Sequence, residues 1–386
     1  MIKIYNTLSR KKEKVDLSKK VGIYVCGITP YDATHLGHAF TFITYDVLVR
    51  YLRFLGKKVT YVQNVTDIDD DILNRAKKLK INWKKLGDLE TEKYQKDMTA
   101  LNMIKPDFFP KATDHIYEMI KIIKVLIKKE LAYEKPQSVY FEIKKDRNFG
   151  KLSRLDYQTQ LKTANERGNF PDDPNKKDPL DFVLWQASKN GEPFWNSPWG
   201  RGRPGWHIEC SAMSMEYLGP TVTIHGGGED LIFPHHEAEI AQSENFTGKK
   251  FVKIWMHTGM VYCDQKKMSK SLCNMVFVSD LFKKYTPNAI RIFLLSYHFR
   301  KSWNYEEQKL PRAQKFATEL EKFKKAQTLS KKELQKATPV FFTAMDDNLD
   351  IPRVLAYVQK LIKSKNKKTS SIVKTCSEVI GLSFKS

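Results

Sequence analysis

Two apolar segments and the helix between them constrain the fold of this chain most strongly. Val21 to Gly27 alternates apolar and β-forming residues and ends at a glycine, and Lys58 to Asn64 has the same character. Residues 40–56 carry apolar side chains at helical spacing and end at Gly56, which suits a helix C-cap. Strand, helix and strand within about 45 residues form a βαβ unit. The unit predicts a parallel sheet with its ligand site at the carboxyl ends of the strands.

The rest of the chain alternates helices with a few further strands. We predict helices over 67–79, 83–101, 113–130 and 287–297, and strands over 139–143, 222–226 and 251–256. The polar stretch 166–179 reads as part of an insertion that splits the sheet domain. The basic sequence after residue 310 predicts helices over 312–327, 334–345 and 352–363, and a last short helix that ends near Gly381.

The pattern predicts an α/β protein with a Rossmann-like parallel sheet, an insertion that splits the sheet domain and a C-terminal α-helical bundle. The division we expect is, in order, the first half of the sheet domain (1–105), the insertion (106–199), the second half of the sheet domain (200–260), a loop region (261–310) and a basic helical bundle (311–386).

The stretch 203–239 places metal-binding residue types close together in a short length of chain. It contains Cys210, an apolar run that ends in glycines, and a helix that we expect to begin at Pro234. His235 and Glu239 are four residues apart and would share one helix face. Thiolate, imidazole and carboxylate are the usual zinc ligands, and Cys26, at the end of the first strand, is the candidate fourth. Taken alone, such a His–Glu pair also suits a solvated helix, and Cys210 a buried small hydrophobe.

Composition restricts the class of protein and the compartment. The 66 Lys and Arg residues outnumber the 44 Asp and Glu residues, which gives a net charge of +22 and favours a polyanionic partner such as nucleic acid. A lysine-rich composition with solvated helix faces would give the same count. No apolar run approaches the roughly 20 residues of a membrane span, and the N-terminus lacks the apolar core of a signal peptide. Five scattered cysteines favour a reducing compartment, so we expect a cytoplasmic protein.

Several short motifs together identify a family. HLGH at residues 35–38, KMSKS at 267–271 and a parallel sheet between them resemble the class I aminoacyl-tRNA synthetases. The segments RPGWHIECSAM, IHGGGEDLIFPHHEAEIAQSE and MDDNLDIP resemble the cysteinyl-tRNA synthetases in particular. The likeness runs from IYNTLSRKKE near the N-terminus to about Leu382. It implies that the sheet domain (1–105 and 200–260) is the Rossmann-like catalytic domain, that 106–199 is a connective domain, and that 261–310 holds the KMSKS loop and a stem-contact region.

The resemblance implies a zinc centre that selects the amino acid. In that family two cysteines, a histidine and a glutamate hold Zn²⁺, and they correspond here to Cys26, Cys210, His235 and Glu239. The metal also takes the sulfur of the substrate L-cysteine. Because this borderline-soft ion prefers thiolate to hydroxyl, serine is rejected without an editing domain.

The resemblance also implies activation of cysteine by ATP with Mg²⁺, followed by transfer to tRNA(Cys). The cysteine carboxylate attacks the α-phosphate and pyrophosphate leaves, so positioning and charge neutralisation carry the rate. His35 and His38 would contact the phosphates, at a helix start whose N–H groups favour anions. Lys267 and Lys270 would neutralise the leaving pyrophosphate. We expect a monomer with no membrane contact.

Further residues match positions that line the family's amino-acid and nucleotide pocket. Asp230 is a candidate partner for the substrate ammonium, because a buried cation needs a counter-charge. Gly226 to Gly228 would let the backbone approach adenosine closely. Trp206 would equally suit an ordinary core. His236 and Glu237 are interpreted as residues that lie either behind the metal ligands or on the surface. The remaining assignments are Gly27, Thr66 and His225.

Two departures from the family pattern leave other functions open. Cys273 stands after KMSKS where glycine is usual, and bacterial members continue into an anticodon-binding domain that we do not find in this sequence.

The shorter length resembles the cysteine ligase of mycothiol synthesis, which joins activated cysteine to a glucosaminyl-inositol. TPYDATHLGHA, YVQNVTDIDD and ERG at 166–168 share that likeness, whereas Glu239 supplies a ligand that this ligase lacks. A non-catalytic zinc-containing RNA-binding paralogue should have lost HLGH and KMSKS, and both are intact.

Overall fold

A βαβ unit at the N-terminal end forms half of a parallel sheet. The fold is given by a computed structural model that describes residues 1–18, 20–268, 274–364, 366 and 369–384. An antiparallel hairpin of β1 (Lys3–Asn6) and β2 (Lys11–Lys14) comes first. The predicted unit follows as β3 (Val21–Ile28), α1 (Leu36–Phe54) and β4 (Val59–Val65), with β3 and β4 parallel. Gly56, just beyond α1, has a φ of 78°, the left-handed conformation that suits the end of a helix.

Helices and a second sheet follow before the parallel sheet resumes. The elements are α2 (Asp70–Leu79), α3 (Trp83–Ala100), α4 (Ile116–Lys128), β5 (Ala132–Lys135), β6 (Ser138–Phe141), α5 (Tyr157–Asn165), β7 (Phe182–Ala187), β8 (Trp195–Ser197) and β9 (Gly200–Pro204). The strands pair antiparallel in the order β5-β6-β7-β9-β8. This sheet therefore extends to Pro204, past residue 199 where we expected the insertion to end.

The parallel sheet is completed by strands that lie far along the chain. They are β10 (Val222–Gly228) and β11 (Val252–Thr258), which alternate with α6 (Trp206–Leu218) and α7 (Glu237–Thr247). The strand order is β11-β10-β3-β4, and every pair is parallel. The carboxyl ends of the strands therefore meet at one edge, as the βαβ pattern predicts, and the α/β prediction is confirmed.

The C-terminal part is mainly helical. It contains β12 (Val261–Cys263), β13 (Lys266–Lys267), α8 (Val278–Leu281), α9 (Pro287–Leu295), β14 (Trp303–Asn304), α10 (Leu310–Leu320), α11 (Lys331–Ala337), α12 (Pro339–Asp346), α13 (Ile351–Lys363) and α14 (Ser370–Val379). The prediction of one helix over 334–345 was wrong. Thr338 is extended, with φ −153° and ψ 93°, because the residue before a proline avoids the helical region, and Pro339 then begins a new helix.

One buried ion pair connects the sheet domain to the C-terminal helices. Arg291 of α9 is fully buried and pairs with the carboxylate of Asp46 on α1. The same guanidinium donates to the carbonyl oxygens of Leu101, at 3.0 Å, and Ile380, at 2.8 Å. Asp46 also accepts from Arg50 Nε at 2.9 Å. These contacts join α1, α9, the end of α3 and the end of α14.

We expect Asp46→Asn to lower the free energy of unfolding by about 3–5 kcal/mol, because the change leaves the Arg291 guanidinium buried without a counter-charge. Urea denaturation measures the change. Asp280→Asn is the matched control: Asp280 pairs with Lys283 at 2.7 Å on the exposed face, and exposed pairs contribute about 0–1 kcal/mol. Equal losses for the two variants would contradict the role of the buried pair.

Candidate active site and metal centre

Four potential metal ligands from three separate segments converge at the carboxyl edge of the sheet. Cys26 lies near the end of β3 and Cys210 lies on α6, with their Sγ atoms 3.7 Å apart. Glu239 Oε1 lies 3.6 Å from Cys26 Sγ and 3.1 Å from His235 Nε2. One donor atom from each of the four residues lies within 4.8 Å of the others, and all four residues are buried. The structure therefore brings together the four residues that the sequence pattern selected.

The spacing of these donors fits a tetrahedral zinc ion. Bonds of about 2.3 Å from zinc to each thiolate would place two sulfurs about 3.8 Å apart, and the observed Cys26–Cys210 separation is 3.7 Å. Two thiols, an imidazole and a carboxylate are also a donor set that zinc accepts.

The start of the helix that carries His235 and Glu239 agrees with the prediction. α7 is Glu237–Thr247, and the turn Ile232–His236 before it is non-helical only at Phe233, with φ −138° and ψ 136°. The peptide bond before Pro234 is cis. Helical backbone therefore begins at Pro234 and continues into α7, because His236 has φ −70° and ψ −28°. His235 Nε2 reaches Glu239 Oε1, four residues further on.

The buried charges of the cluster shift each other's proton affinity. Burial opposes ionisation of Glu239, but His225 and His235 lower its pKa to about 2. The carboxylate and Cys210 in turn raise the pKa of His235 to about 10, although burial acts in the opposite direction. Despite burial, the hydrogen bond from Cys26 lowers the pKa of Cys210 to about 6, while burial and Cys210 raise the pKa of Cys26. A metal that bound here would displace the protons held by His235 and Cys26.

A layer of aromatic and imidazole side chains surrounds the four donors. His225 Nε2 lies 2.8 Å from Glu239 Oε2, and His207 Nδ1 lies 3.0 Å from His235 Nδ1. Trp206 stacks on His235 with ring centroids 4.4 Å apart. His225, which we expected in the amino-acid pocket, is thus fully buried beside a ligand carboxylate. Partners of this kind orient metal ligands.

The sequence left the place of two further residues open and did not single out His207. His236 and Glu237 were interpreted as lying either behind the ligands or on the surface, and both are buried. His236 Nε2 lies 3.3 Å from Cys26 Sγ, and Cys26, His225 and His236 form a second group with metal-ligand spacing. Glu237 instead accepts the backbone N–H of Ser153 at 2.8 Å. The adjacent His235–His236 pair was the available signal for His236.

His35 and His38 lie at the N-terminus of α1. His35 caps the helix, because its Nδ1 accepts the N–H groups of Gly37 at 3.1 Å and His38 at 3.4 Å. The two rings stack with centroids 3.7 Å apart. Burial lowers the pKa of His38 to about 4, although Asp230 opposes the shift, and burial also lowers the pKa of His35. Neutral imidazoles at a helix N-terminus can donate hydrogen bonds to a phosphate group.

The lysine-rich loop approaches the same helix start. Lys267 Nζ lies 3.7 Å from Asp230 Oδ2, and Val276 accepts the N–H of Leu36 at 2.9 Å. HLGH, the glycine-rich end of β10 and the chain on both sides of KMSKS therefore meet at one place. Lys270 and Cys273, which the sequence singled out, lie outside the described residues.

A cavity of about 920 Å³ opens beside these motifs, between the insertion and the sheet edge. Its lining includes Asp69, Arg167, Trp206, Asp230 and Lys267. It therefore adjoins the cluster of four potential metal ligands through Trp206, which stacks on His235. A volume of this size can hold an amino acid together with a nucleotide.

Thr66 and the predicted glycines lie in tightly packed backbone near the cavity. Thr66 is buried and donates its N–H to Ile28 O at 2.9 Å. A Cβ on Gly27 would lie 1.7 Å from Asn64 O, and one on Gly226 would lie 1.7 Å from Met256 O. Contact between neighbouring strands thus requires glycine at both positions, whether or not a ligand approaches. At Gly227 and Gly228 a Cβ would meet Leu231 and Asp230 at 2.7 and 2.4 Å.

Comparisons with known proteins give the family. Residues 12–315 match the tRNA synthetases class I (C) catalytic domain. A cysteine--tRNA ligase from Thermodesulfovibrio yellowstonii is 46% identical over 95% of this chain and 79% of its own length. The chain belongs to the cysteine--tRNA ligases.

A second relative agrees with this assignment, and a solved structure shares the fold. A cysteine--tRNA ligase from Haemophilus influenzae strain PittGG is 44% identical over 97% of this chain and 82% of its own length. A Mycobacterium tuberculosis methionyl-tRNA synthetase in complex with methionyl-adenylate has the same fold, with a TM-score of 0.67 at 14% identity over 94% of this chain and 89% of its own. The predicted class I resemblance is therefore confirmed. In the part of this ligase that the structure describes, none of the helices is both long and apolar enough for a bilayer crossing.

Asp69 gives a prediction for the pH dependence of stability. Its carboxylate caps α2 by accepting the N–H of Asp71 at 2.8 Å, and burial together with the charges of Asp71 and Asp70 raises its pKa from 3.8 to about 6. A raised carboxyl pKa means that folding disfavours the ionised form, so stability falls as the pH rises from about 4 to about 6.

We expect Asp69→Asn to keep the cap and to be more stable than the parent by about 1–2 kcal/mol at about pH 7.5, since water at the cavity rim screens part of the effect. At about pH 4 the two proteins should have nearly equal stability. Urea denaturation at both pH values measures the difference, with Asp280→Asn as the control. A constant difference at all pH values would contradict the partial burial of this charge.

Proposed function

We propose that this ligase activates L-cysteine with ATP to cysteinyl-adenylate and transfers the cysteinyl group to tRNA(Cys). The observation that carries the proposal is the buried cluster of Cys26, Cys210, His235 and Glu239 beside the cavity that Trp206, Asp230 and Lys267 line. A thiol-containing metal site next to a nucleotide-sized cavity is what recognition and activation of cysteine need.

The four donors would hold Zn²⁺. When bound, zinc supplies a preference for the substrate thiolate over a hydroxyl group. The protein would orient the ligands, because His225 is hydrogen-bonded to Glu239 and His207 is hydrogen-bonded to His235. Trp206 covers His235 from the cavity side and would exclude water from the substrate side chain. Discrimination against serine then needs no editing domain.

The phosphate groups of ATP with Mg²⁺ would bind at the start of α1. In the activation step a carboxylate oxygen of cysteine forms a bond to the α-phosphorus, and the bond to the bridging oxygen of pyrophosphate breaks. His38, held neutral by burial, and His35 would donate hydrogen bonds to the phosphates. Lys267 lies at the cavity and Lys270 is three residues further on, so we assign both to the charge on the leaving pyrophosphate.

The substrate ammonium would be held at the cavity by Asp230. This carboxylate lines the cavity and lies 3.7 Å from Lys267. Binding of the ammonium group to Asp230 would therefore affect the position of the loop that carries Lys267. Three of the predicted residues would support the pocket from behind and would not line it. Thr66 and Gly27 lie in packed backbone, and His225 lies behind Glu239. Gly226 to Gly228 would bring the backbone close to adenosine.

Charge and thiol chemistry support the proposed acceptor and compartment. A net charge of +22 suits a tRNA better than a small neutral sugar, and it should make binding weaker as salt increases. Glu239 is at the cluster, which favours the tRNA ligase over the mycothiol type of cysteine ligase. The described cysteines form no disulfide, which supports a reducing cytoplasm. We further propose a monomer with the five-part domain division of the sequence analysis.

We expect labelled L-cysteine, with ATP, Mg²⁺ and Zn²⁺, to be transferred to tRNA(Cys) and not to glucosaminyl-inositol. Acid-precipitable label measures charging of the tRNA, and chromatography measures the sugar product. Serine in place of cysteine is the substrate control. Transfer to the sugar alone would overturn the choice of acceptor, and failure of cysteine-dependent pyrophosphate exchange would overturn the activation step as well.

We expect Cys210→Ser to weaken zinc binding by more than the roughly 10–100-fold lost when an outer partner of a metal ligand is removed, because a thiolate donor disappears. The cysteine concentration needed for pyrophosphate exchange should rise in parallel. Cys376→Ser is the matched control, since Cys376 is a fully buried thiol on α14 outside the cluster. Zinc content is measured after dialysis, and an unchanged content in Cys210→Ser would refute the ligand assignment.

A further inference from the structure

A row of buried hydrogen bonds leads from the metal cluster to the N-terminal hairpin. His236 Nε2 lies 3.3 Å from Cys26 Sγ, and His236 Nδ1 lies 2.8 Å from His257 Nε2. His257 Nδ1 in turn lies 2.7 Å from Thr7 Oγ1. All four side chains are buried. In the last of these hydrogen bonds, Thr7 and His257 are 250 positions apart in the chain.

The direction of these hydrogen bonds follows from the chemistry at the metal end. A thiolate that binds a metal can only accept, so His236 must donate through Nε2. A neutral imidazole has one N–H, and therefore His236 Nδ1 accepts from the Nε2–H of His257. The Nδ1 of His257 is then an acceptor as well and requires a donor. The hydroxyl of Thr7 is the donor at 2.7 Å.

We propose that Thr7 is a positioning residue of the metal centre, whose hydroxyl fixes the tautomers of His257 and His236 so that His236 donates to the Cys26 thiolate. The inference rests on the zinc ligands assigned under Proposed function. A donated hydrogen bond stabilises negative charge on Cys26, which lies next to Cys210 and the Glu239 carboxylate. It also holds the sulfur in the direction of the metal.

The backbone holds Thr7 in place independently of its hydroxyl. Thr7 donates its N–H to Trp255 O at 2.9 Å on strand β11, and the preceding Asn6 bonds Lys253 O at 3.0 Å. On the other side of the hairpin, Tyr5 donates its N–H to Asn348 Oδ1 at 2.7 Å. Removal of the hydroxyl alone should therefore leave the hairpin seated between the sheet and the C-terminal helices.

The test compares Thr7→Val, Thr7→Ser and Thr44→Val in the zinc-loaded full-length protein. Thr44 is a buried matched control whose hydroxyl bonds only Phe40 O of its own helix among the described contacts. We expect Thr7→Val to bind zinc about threefold to tenfold more weakly in chelator competition, as for loss of one buried hydrogen bond. Thr7→Ser and Thr44→Val should match the parent.

A second measurement reads the tautomer directly. In the zinc-loaded parent labelled with ¹⁵N-histidine, we expect His257 to carry its proton on Nε2. A proton on Nδ1 would reverse the row and overturn the proposal, as would unchanged zinc affinity in Thr7→Val or a loss in Thr7→Ser equal to that in Thr7→Val. The parent readout does not depend on how Thr7→Val folds. A parent that binds no zinc at Cys26 would overturn the proposed ligand set together with this inference.

Discussion

A fully buried carboxylate, Glu239, lies between His225 and His235 and beside two thiols. Burial of an isolated charge costs free energy, so a buried carboxylate needs hydrogen-bonding or charged partners next to it. Those partners come from β10 and the turn before α7, and the thiols come from β3 and α6. The partners of this buried charge therefore come from both halves of the sheet, which the insertion separates in the sequence.

The parallel sheet supplies that edge, and the motifs proposed to bind phosphate lie at it or beside it. HLGH follows β3, the glycines end β10 and Asp230 follows them, and Lys267 ends β13 in the separate sheet β13-β12-β14. Each motif thus lies where a strand gives way to a helix or loop. The Asp46–Arg291 pair and the N-terminal hairpin hold the C-terminal helices against this domain, so the two parts do not depend on surface contacts alone.

Much of this could be predicted because the signals are local. The βαβ unit and the His235–Glu239 spacing lie in short segments, and the motif-like surroundings of Cys26 and Cys210 completed the ligand set. The break at Thr338 also has a local cause, Pro339, which the expected helix over 334–345 overlooked. Other features depend on tertiary contacts. No local pattern singles out His207 or His257, since their partners lie far away in the chain.

The central claim is that the Cys26, Cys210, His235 and Glu239 cluster holds a zinc ion that takes the substrate thiolate. X-ray absorption at the zinc edge counts the sulfur atoms bound to the metal before and after addition of L-cysteine. Two sulfurs should be present in the zinc-loaded protein and three after cysteine is added, whereas L-serine should leave two. A sulfur count that does not change with cysteine would contradict selection of the amino acid by the metal.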